Sequence, residues 1–509
     1  MRGKSGVMLL AKVSVGQEHN RTRPVLPPPL ARVEMGDWAL TRDKLKTYPH
    51  FDAPLSIDQA TALVTDPSRV RSHAFYPLLL FREEWWPFGR KAKSDEKKSR
   101  KIRYAARGDA YIYSYYRHLL SQAYERRLAD LGISDSIIAY RKISCAPHGG
   151  GKCNIHFADE AFSAVARLGN CCAVALDISK FFESIDHQRL KRVWCGLLGV
   201  ERLPDDHWAV FKAITRYAEV DRDLVYERLG FAHRRRAGGW EYSKSKRDMP
   251  LQLCSPLDFR RKIASTDGLI MPNKNACGIP QGAPLSDLLA NAYLMDFDSE
   301  MVRFVSDRGG IYLRYSDDIL IVLPGDGRAG RGARTFASRL IEQAGDRLLI
   351  KPEKSSTVVF RAENGRVTYR CVQGRRCNGL EYLGFRFDGT YVYLRDSTLA
   401  NLNRKMAKAI GAEAIAMVRR YRGKDETFLL SRFHIDRVMQ KFGRVEDFDP
   451  SEGPRAWTFW SYARRATSIL GERGAPIFGQ LKRQRKHMDL MAKRAIREAL
   501  SPKSNIAPR

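Results

Sequence analysis

Two adjacent carboxylates interrupt an otherwise strand-like run. Asp317 and Asp318 lie between Tyr315 and four branched apolar residues in the sequence RYSDDILIV, residues 314–322. Aspartate is a poor strand former and is expensive to bury without a partner. The pattern therefore predicts a hairpin turn whose acids are compensated by a cation, by water or by both.

A third acid ends another apolar strand. The stretch CCAVALDIS, residues 171–179, indicates a buried strand with Asp177 near its end. A lone aspartate there would usually be a cap or a turn residue. Three carboxylates on adjacent strand ends would instead repel one another unless a cation lay between them. Oxygen ligands favour Mg²⁺ or Mn²⁺ over zinc, and Mg²⁺ usually also binds substrate phosphates, so this pattern indicates a nucleotide.

A turn rich in proline and glycine lies between these acids in the sequence. The stretch GIPQGAPLSDLLANAYL, residues 278–294, predicts a rigid turn followed by a helix. The backbone at Gly282 would let a substrate approach closely, and Gln281 would present its amide to a nucleotide. An ordinary turn with a polar tip explains the same residues, so this motif is weak on its own.

The charge balance favours a polyanionic partner. Lys and Arg number 88 against 57 Asp and Glu, which gives a net charge of +31. Nucleic acid or an anionic membrane surface would suit such a chain. No run reaches the roughly 18 apolar residues of a membrane span, so we expect no membrane partner. The nine cysteines form no CxxC pair, so we expect reduced thiols in a cytoplasmic protein without a signal peptide.

The elements that must position the acids follow from hydrophobic periodicity. The run at 90–103 is strongly basic, and a solvated loop or a loop facing phosphates explains it equally well. Residues 391–509 carry 25 cations and 12 acids in a helical pattern, which suggests a unit that contacts a phosphate backbone. The sequence predicts helices over 109–131, 158–168, 285–307 and 331–347, a hairpin over 311–322, and strands near 356–361, 367–372 and 380–394.

Five motifs in this order resemble the palm of reverse transcriptases. ALDISKFFESID resembles their first catalytic motif, GIPQGAPLS their nucleotide-positioning motif, and RYSDD their paired-aspartate hairpin. LLIKPEKSSTV, residues 348–358, is similar to their lysine motif, and LEYLGFRF, residues 380–387, to their primer-grip hairpin. KIRYAARGDAYIYSYYRHLL and AYRKIS resemble finger-domain motifs, so the resemblance covers roughly residues 75–395.

The resemblance implies an α+β fold of the right-hand polymerase type. Its palm would hold an antiparallel sheet with packed helices, and its thumb would be helical. The implied divisions are an N-terminal lead-in over 1–50, fingers over 51–170, a palm over 171–395 with a long basic insertion at about 219–275, and an α-helical thumb with a C-terminal extension over 396–509.

The resemblance also implies specific catalytic roles. Asp177 and Asp317 match the main metal ligands, Asp318 matches the third acid, and Ile178 joins the metal set through its backbone. Lys354 matches a lysine proposed to protonate the departing pyrophosphate, although a surface lysine explains it equally well. The implied cofactor is Mg²⁺, with Mn²⁺ as an alternative.

Further implied contacts concern the nucleotide and the nucleic acid. Phe182 matches a steric gate whose ring would crowd a ribose 2′-hydroxyl and favour deoxynucleotides, although core packing explains it too. The other nucleotide contacts implied are Arg141, Lys142, Gln281 and Gly282, and the nucleic-acid contacts are Arg103, Leu383 and Gly384.

Some stretches resemble one branch of the family. SHAFYPLLLF, YIYSYYRHLLSQAYERRL and LQLCSPLDF are similar to the bacterial defence-associated and abortive-infection reverse transcriptases. No endonuclease histidine cluster and no RNase H acid set is recognisable. The implied biology is antiphage defence, with deoxynucleoside triphosphates, a DNA product and an RNA template, which is a noncoding RNA in several members. A homo-oligomer, a partner protein and a protein-hydroxyl primer stay open.

Three readings of the activity therefore compete. The leading one is an RNA-directed DNA polymerase. The first alternative is a template-independent or protein-primed DNA polymerase, and an RNA polymerase is disfavoured by Phe182. The second is a catalytically silent RNA-binding scaffold, which the loss of a metal-binding acid would favour. All three acids are present.

Overall fold

The protein has a mixed α+β fold, as the sequence predicts. The computed structural model describes residues 38–85, 98–145, 150–236, 238–245, 248–364, 366–373, 378–435, 438, 442 and 458–501. The strands are β1 Leu78–Trp85, β2 Lys98–Tyr104, β3 Cys171–Asp177, β4 Ala218–Asp221, β5 Ala232–Arg234, β6 Trp240–Tyr242, β7 Met271–Pro272, β8 Ile311–Tyr315, β9 Asp318–Pro324, β10 Ser356–Glu363, β11 Arg366–Gln373, β12 Leu380–Tyr382, β13 Phe385–Phe387 and β14 Val392–Leu394.

Helices surround these strands, and the predicted helical segments are confirmed. The pattern over 285–307 is divided into two helices at Leu294. The helices are α1 Ile57–Val64, α2 Pro67–Ser72, α3 Arg107–Asp130, α4 Asn154–Leu168, α5 Phe181–Ser184, α6 His187–Leu198, α7 Asp205–Thr215, α8 Arg222–Arg228, α9 Pro256–Asp258 with a π-helical continuation Phe259–Ala264, α10 Ser286–Tyr293, α11 Met295–Ser306, α12 Gly327–Ala344, α13 Asp396–Arg420, α14 Glu426–Ser431, α15 Phe459–Leu470, α16 Pro476–Leu481 and α17 Gln484–Leu500.

One five-stranded antiparallel sheet carries the predicted acids. Its strand order is β11-β10-β3-β9-β8. Successive side chains of a strand point to opposite faces. Accordingly, Cys172 and Val174 of β3 face one hydrophobic core, whereas Cys171 and Ala173 face another. The sheet therefore separates a core on the side of α3, α11 and α12 from a core on the side of α4 and the C-terminal helices.

Helix α12 lies close to the sheet because its inward stripe is made of small residues. Gly330, Ala333 and Ala337 are buried, and a Cβ added at Gly330 would lie 2.7 Å from the Cγ2 atom of Thr357. Helix α3 contributes a row of buried tyrosines to the same core, including Tyr111 and Tyr116. These tyrosines are packing residues, as the helical spacing favours.

A second sheet joins strands of the predicted fingers to strands of the basic insertion. Its strand order is β2-β1-β4-β7, and β1 pairs in parallel with β4. Strands β4 and β7 of the basic segment thus pair into one sheet with β1 and β2, which lie in the predicted fingers. A small core that contains Phe51, Leu79 and Val220 unites them. The parallel pairing of β1 with β4 is non-local, and local sequence patterns do not reveal it.

The last residues of the predicted lead-in over 1–50 pack against the following elements. The Trp38 ring packs edge-on against Tyr115 with centroids 5.2 Å apart. The hydroxyl of Tyr48 donates a hydrogen bond to the carbonyl of Ala105 at 2.9 Å. These residues are therefore part of the folded structure. The earlier lead-in, the basic run before Lys98 and the final residues 502–509 lie outside the described residues.

The C-terminal region is helical, as predicted. Helices α13 and α17 pack together through residues such as Met406, Ile410 and Met488. The side chain of Gln480 in α16 exchanges two hydrogen bonds with the backbone of Leu394 in β14, at 2.8 and 3.0 Å. The three-stranded sheet β12-β13-β14 is thereby joined to the helical unit.

The cysteine prediction holds only in part. Cys145, Cys153, Cys171, Cys172, Cys195, Cys254 and Cys277 carry free thiols. Cys371 in β11 is disulfide-bonded, so the expectation of reduced thiols throughout is wrong there. Among the described residues, no helix combines the length and apolar character needed to cross a bilayer.

Candidate active site

The three predicted acids meet at one end of the five-stranded sheet. Asp177, the last residue of β3, lies directly opposite Asp318, the first residue of β9. Asp317 occupies the turn between β8 and β9, and its carbonyl accepts a hydrogen bond from the Ile178 amide at 3.1 Å. The preceding Ser316 has a φ of +61°, a left-handed conformation that lets the hairpin reverse direction. Backbone pairing therefore brings together acids that are 140 residues apart in sequence.

These acids line an open cleft of about 630 Å³. Its other walls come from the segment before β10 and from the hairpin between β12 and β13. They include Lys354, Leu383 and Arg395. The cleft thus collects residues from the first, third, fourth and fifth motifs of the sequence.

Burial and neighbouring negative charges raise the pKa values of Asp317 and Asp318. Burial raises the pKa of Asp317, and the charge of Asp177 acts in the same direction. Burial, followed by the charges of Asp317 and Asp177, raises the pKa of Asp318 to about 6. Like charges held this close disfavour ionisation, and a cation between them would offset that cost.

Two lysines pair with Asp177. Lys354 Nζ lies 2.9 Å from Oδ2 of Asp177, and Lys351 Nζ lies 3.2 Å from Oδ1. Burial would lower the pKa of Lys354, but its hydrogen bond to Asp177 outweighs that effect and the pKa is raised. Within the described part of the chain, no three acid, histidine or cysteine side chains already form a ready-made metal cage. A divalent cation would therefore compete with both ammonium groups for Asp177.

A buried network that the sequence motifs do not reveal holds the turn that carries Asp317. Arg314 and Asp298 form an ion pair at 2.5 Å with neither side chain exposed. The guanidinium also donates to the carbonyls of Ser316 and Asn291, at 3.2 and 3.1 Å. The Tyr312 hydroxyl donates to the same carboxylate at 2.6 Å. The sequence feature that could have revealed this network is Arg314, the lone cation in the strand sequence IYLRY. Arg314 lies in the inward-facing part of the strand, and a buried charge needs a partner.

The structure brings Phe182 and the GIPQG turn together. The carbonyl of Phe182 accepts a hydrogen bond from the Ile279 amide at 2.8 Å, and the Gly278 amide donates to Ile185 at 2.8 Å. The Phe182 side chain is half-buried against the core on the α3 side. Both predicted readings of Phe182 therefore stay compatible with its position.

Gly282 and Arg103 need a different explanation from the one predicted. Gly282 has a φ of +114°, and a Cβ there would collide with the carbonyl oxygen of Arg103. The close approach at this glycine is therefore made by strand β2 of the protein itself, and the Arg103 amide donates to the Gln281 carbonyl at 3.2 Å. The Arg103 guanidinium is only 5% exposed and pairs with Glu219, so it is a structural cross-link and does not face a nucleic acid.

Arg141 is not presented to the cleft. Its guanidinium pairs with Glu125 at 2.8 Å and also donates to the carbonyls of Ser134 and Ile137. These contacts occupy the fork that was predicted to bind the triphosphate. The neighbouring Tyr140, which the sequence analysis did not select, has a φ of +60° and packs against Tyr315 with ring centroids 6.2 Å apart.

Lys142 lies close in sequence to Tyr140, which packs against Tyr315. It is exposed and follows Tyr140 by two residues. Burial raises the pKa of Tyr140, and the charge of Asp317 acts in the same direction, so this tyrosine is near the acids. The role of Lys142 in triphosphate binding stays a prediction.

Leu383 and Gly384 form the tight turn between β12 and β13. Their φ values are +46° and +91°. The Asn154 amide donates to the Leu383 carbonyl at 3.1 Å and to the Tyr462 hydroxyl at 2.9 Å. Asn154 thereby connects this turn to helix α15. Leu383 lines the cleft with the three acids, and its contact with a primer stays a prediction.

Comparison with known proteins adds only distant similarity. No protein-family model matches the sequence, and no curated protein matches it. The similar solved structures include truncated apo telomerase from Candida tropicalis, with 9% identity and a TM-score of 0.35 over 59% of this chain and 52% of that chain. The full apo telomerase of the same yeast has 12% identity and a TM-score of 0.34 over 83% and 64% of the two chains.

A third similar structure is telomerase from Candida albicans in complex with a TWJ fragment of telomeric RNA. It has 11% identity and a TM-score of 0.35 over 86% of this chain and 66% of that chain. The alignments thus span between half and two thirds of these telomerase chains. An overlap this loose carries no argument about function, which must come from the site itself.

Proposed function

We propose that this protein is an RNA-directed DNA polymerase that joins deoxynucleotides by nucleotidyl transfer. The observation that carries the proposal is the strand register that places Asp177 opposite Asp318, with Asp317 in the adjoining turn. The three acids open into one cleft with Lys354 and the Leu383 turn. This arrangement supports the proposal.

The donor set fits Mg²⁺ or Mn²⁺. Asp177 and Asp317 would hold the ions, with the Ile178 carbonyl and Asp318 beside them, and all these donors are oxygens. The raised pKa values of Asp317 and Asp318 mark a site that gains from an added cation. When bound, a pair of such ions activates a hydroxyl nucleophile and stabilises the departing pyrophosphate.

The remaining roles belong to the chain's own side chains. Lys354 would carry a proton toward the leaving pyrophosphate, since its ammonium group is already at the Asp177 carboxylate. Phe182 would exclude a ribose 2′-hydroxyl, and Gln281 would contact the nucleotide from the neighbouring turn. The Leu383–Gly384 turn would hold the primer end.

The finer assignment is to bacterial antiphage defence in the cytoplasm, with an RNA template. It is supported by the stretches SHAFYPLLLF and LQLCSPLDF and by the strongly basic composition. A noncoding RNA template, a homo-oligomer and a partner protein are compatible with this assignment.

Primer extension with purified full-length protein tests the proposal. Labelled deoxynucleotides should be incorporated on an RNA template in Mg²⁺, and Asp317→Ala should abolish incorporation while RNA binding is retained. The exposed Asp489 provides a matched control, because Asp489→Asn removes a charge far along the chain from the site. A second readout is thermal unfolding: Mg²⁺ should raise the Tm of wild type and Asp489→Asn more than that of Asp317→Ala.

Each alternative has its own outcome. Incorporation that persists after copurified RNA is removed would favour a template-independent or protein-primed polymerase. RNA binding without incorporation of any nucleotide, together with no Tm response to Mg²⁺ or Mn²⁺, would favour a silent scaffold. Full activity of Asp317→Ala would show that Asp317 is not needed for the reaction and would contradict the proposed active site.

A further inference from the structure

A groove lies between α11 and α12, on the α3 side of the five-stranded sheet. Its volume is about 530 Å³, and its lining shares no residue with the catalytic cleft. Leu323 at its floor lies five residues after Asp318 on β9, which corresponds to roughly 17 Å along a strand. We call this feature the α11–α12 groove. It is separate from the candidate active site.

The groove has an aromatic floor. Phe304 of α11 and Phe336 of α12 stack with centroids 4.2 Å apart and an interplanar angle of 14°. The Arg308 guanidinium lies 3.9 Å from the Phe304 ring centroid, and that of Arg339 lies 5.4 Å from the Phe336 centroid. Each guanidinium group therefore lies over one ring of the phenylalanine pair, and Arg308 and Arg339 are exposed.

The rim of the groove is cationic. Arg331 and Arg339 of α12 line the groove and form no ion pair with any acid in the described part of the chain. Every cation between residues 295 and 345 is an arginine, and none is a lysine. Arginine presents a planar fork that suits phosphate oxygens, and its guanidinium plane also stacks on bases.

One acidic segment of the protein itself is a candidate partner for the arginines of the rim. Among the segments outside the described residues, only 443–457 has more acids than cations. The described residues on either side of it, Phe442 and Phe459, pack against the core on the opposite face of the sheet. The floor of the groove belongs to the α3-side core. An external polyanion is therefore the occupant that the charge favours.

We propose that the α11–α12 groove binds a single nucleic-acid strand outside the catalytic cleft. Arg308, Arg331 and Arg339 contact its phosphates, and its bases stack on the guanidinium planes that cover the phenylalanine pair. Such a combination of cations and stacked planes binds single strands with little sequence preference. The proposal concerns binding alone, so it stands or fails independently of polymerisation.

The test measures binding of fluorescein-labelled oligouridine to full-length protein as a function of salt. The variant is Arg308→Gln/Arg331→Gln/Arg339→Gln, which removes three charges from the groove. The matched control is Arg126→Gln/Arg127→Gln/Arg202→Gln, which removes three exposed charges elsewhere. Since each phosphate contact to a single strand contributes about 0.7 to the slope of log K against log salt, the groove variant should be less steep by about 2.

Further measurements separate the groove from the cleft and from a folding defect. The groove variant should bind oligouridine at least roughly tenfold more weakly, while extension of a short primer–template that fills only the cleft is unchanged. Arg331→Gln alone removes no aromatic contact and should still lower the slope, by about 0.7. Ultraviolet crosslinking should attach the RNA to peptides that contain Phe304 or Phe336.

Three results would overturn the proposal. One is an equal loss of slope in the groove variant and the control, which would indicate general charge attraction. Another is displacement of oligouridine from the groove by polyglutamate at equal charge concentration, which would indicate an acidic protein partner. The third is a groove variant that unfolds at the wild-type temperature and whose slope of log K against log salt is unchanged.

Discussion

The ammonium nitrogen of Lys354 lies 2.9 Å from one carboxylate oxygen of Asp177 and 3.2 Å from the other. The sequence motifs assign Lys354 to protonation of the leaving pyrophosphate and Asp177 to metal binding. The two side chains therefore lie in direct contact. Lys354→Ala should lower kcat by about 100-fold, because general acid catalysis typically contributes that much or more. RNA affinity should stay within a factor of about 2, since Lys354 lies in the cleft wall among the acids. Single-turnover primer extension measures both quantities.

The matched control for Lys354 is its neighbour. Lys351 also pairs with Asp177, at 3.2 Å, but it has no assigned role in proton transfer. Lys351→Ala should therefore cost less activity than Lys354→Ala. Equal losses in the two variants would mean that both lysines only neutralise Asp177, and the proton-transfer role would be withdrawn.

The Arg314–Asp298 pair should govern the stability of the turn that carries Asp317. Both side chains are fully buried, so removal of one partner leaves an uncompensated charge in the core. Arg314→Met should lower the free energy of unfolding by about 3–5 kcal/mol. Urea unfolding measures this change.

A double variant separates stability from positioning in the same network. Arg314→Met/Asp298→Leu removes both charges and should recover much of the lost stability. It should not recover activity, because the Ser316 carbonyl still lacks the donor that Arg314 supplied. Full polymerase activity in the double variant would show that the pair only fills the core.

The site could be predicted from the sequence where the local hydrophobic pattern agrees with the register of the paired strands. The apolar runs that end in Asp177 and Asp317–Asp318 predict strands, and pairing of those strands brings the acids together. The buried stripe of α12 likewise follows from helical spacing. Periodicity is a local property of the sequence, so elements that depend on it alone are predictable.

The incorrect assignments depend on contacts between distant parts of the chain. Arg103 and Arg141 looked available for nucleic acid and triphosphate, but each pairs with an acid, Glu219 and Glu125 respectively. No spacing rule identifies which acid a given arginine will meet after folding. The parallel pairing of β1 with β4 is non-local for the same reason.

A buried acid far from the cleft gives the protein a pH dependence. Asp109 in the first turn of α3 shares a hydrogen bond of 2.7 Å with His73 and accepts another from the Tyr76 amide. Burial raises its pKa from 3.8 to about 6. Between these values the folded protein binds the proton more tightly than the unfolded chain, so this group's stabilising contribution is lost as pH rises through about 6.

Asp109→Asn tests this dependence, because the amide does not titrate. The stability of the variant relative to wild type should increase between pH 4 and pH 7, by on the order of 2–3 kcal/mol. Urea unfolding at several pH values measures the difference. A difference that is constant or decreases with rising pH would contradict the assignment of the raised pKa to Asp109.

The glycine in the GIPQG turn should not tolerate a methyl group. At Gly282 the φ of +114° is strained for any other residue, and the added Cβ would meet the Arg103 carbonyl. Gly282→Ala should therefore separate β2 from the turn and lower the free energy of unfolding by roughly 1–3 kcal/mol, with a loss of incorporation. Thermal unfolding and primer extension measure these effects.

Gly411 in α13 is the control for Gly282. A Cβ there meets nothing within 4 Å, and the residue lies inside a helix. Gly411→Ala should therefore stabilise the protein by about 0.5–1 kcal/mol. If Gly282→Ala is equally well tolerated, the close approach of β2 does not constrain this turn.

The position of Phe182 predicts how the proposed polymerase activity discriminates between sugars. The carbonyl of Phe182 accepts a hydrogen bond from Ile279, two residues before Gln281, so its backbone is held against the GIPQG turn. The Phe182 ring is half-buried. Phe182→Val shortens the side chain and should raise ribonucleotide incorporation relative to deoxynucleotide incorporation by roughly tenfold or more. Phe182→Tyr keeps the ring and should retain the wild-type preference. Competition between the two triphosphates in one extension reaction measures the ratio, and an unchanged ratio in Phe182→Val would leave core packing as the only role of this ring.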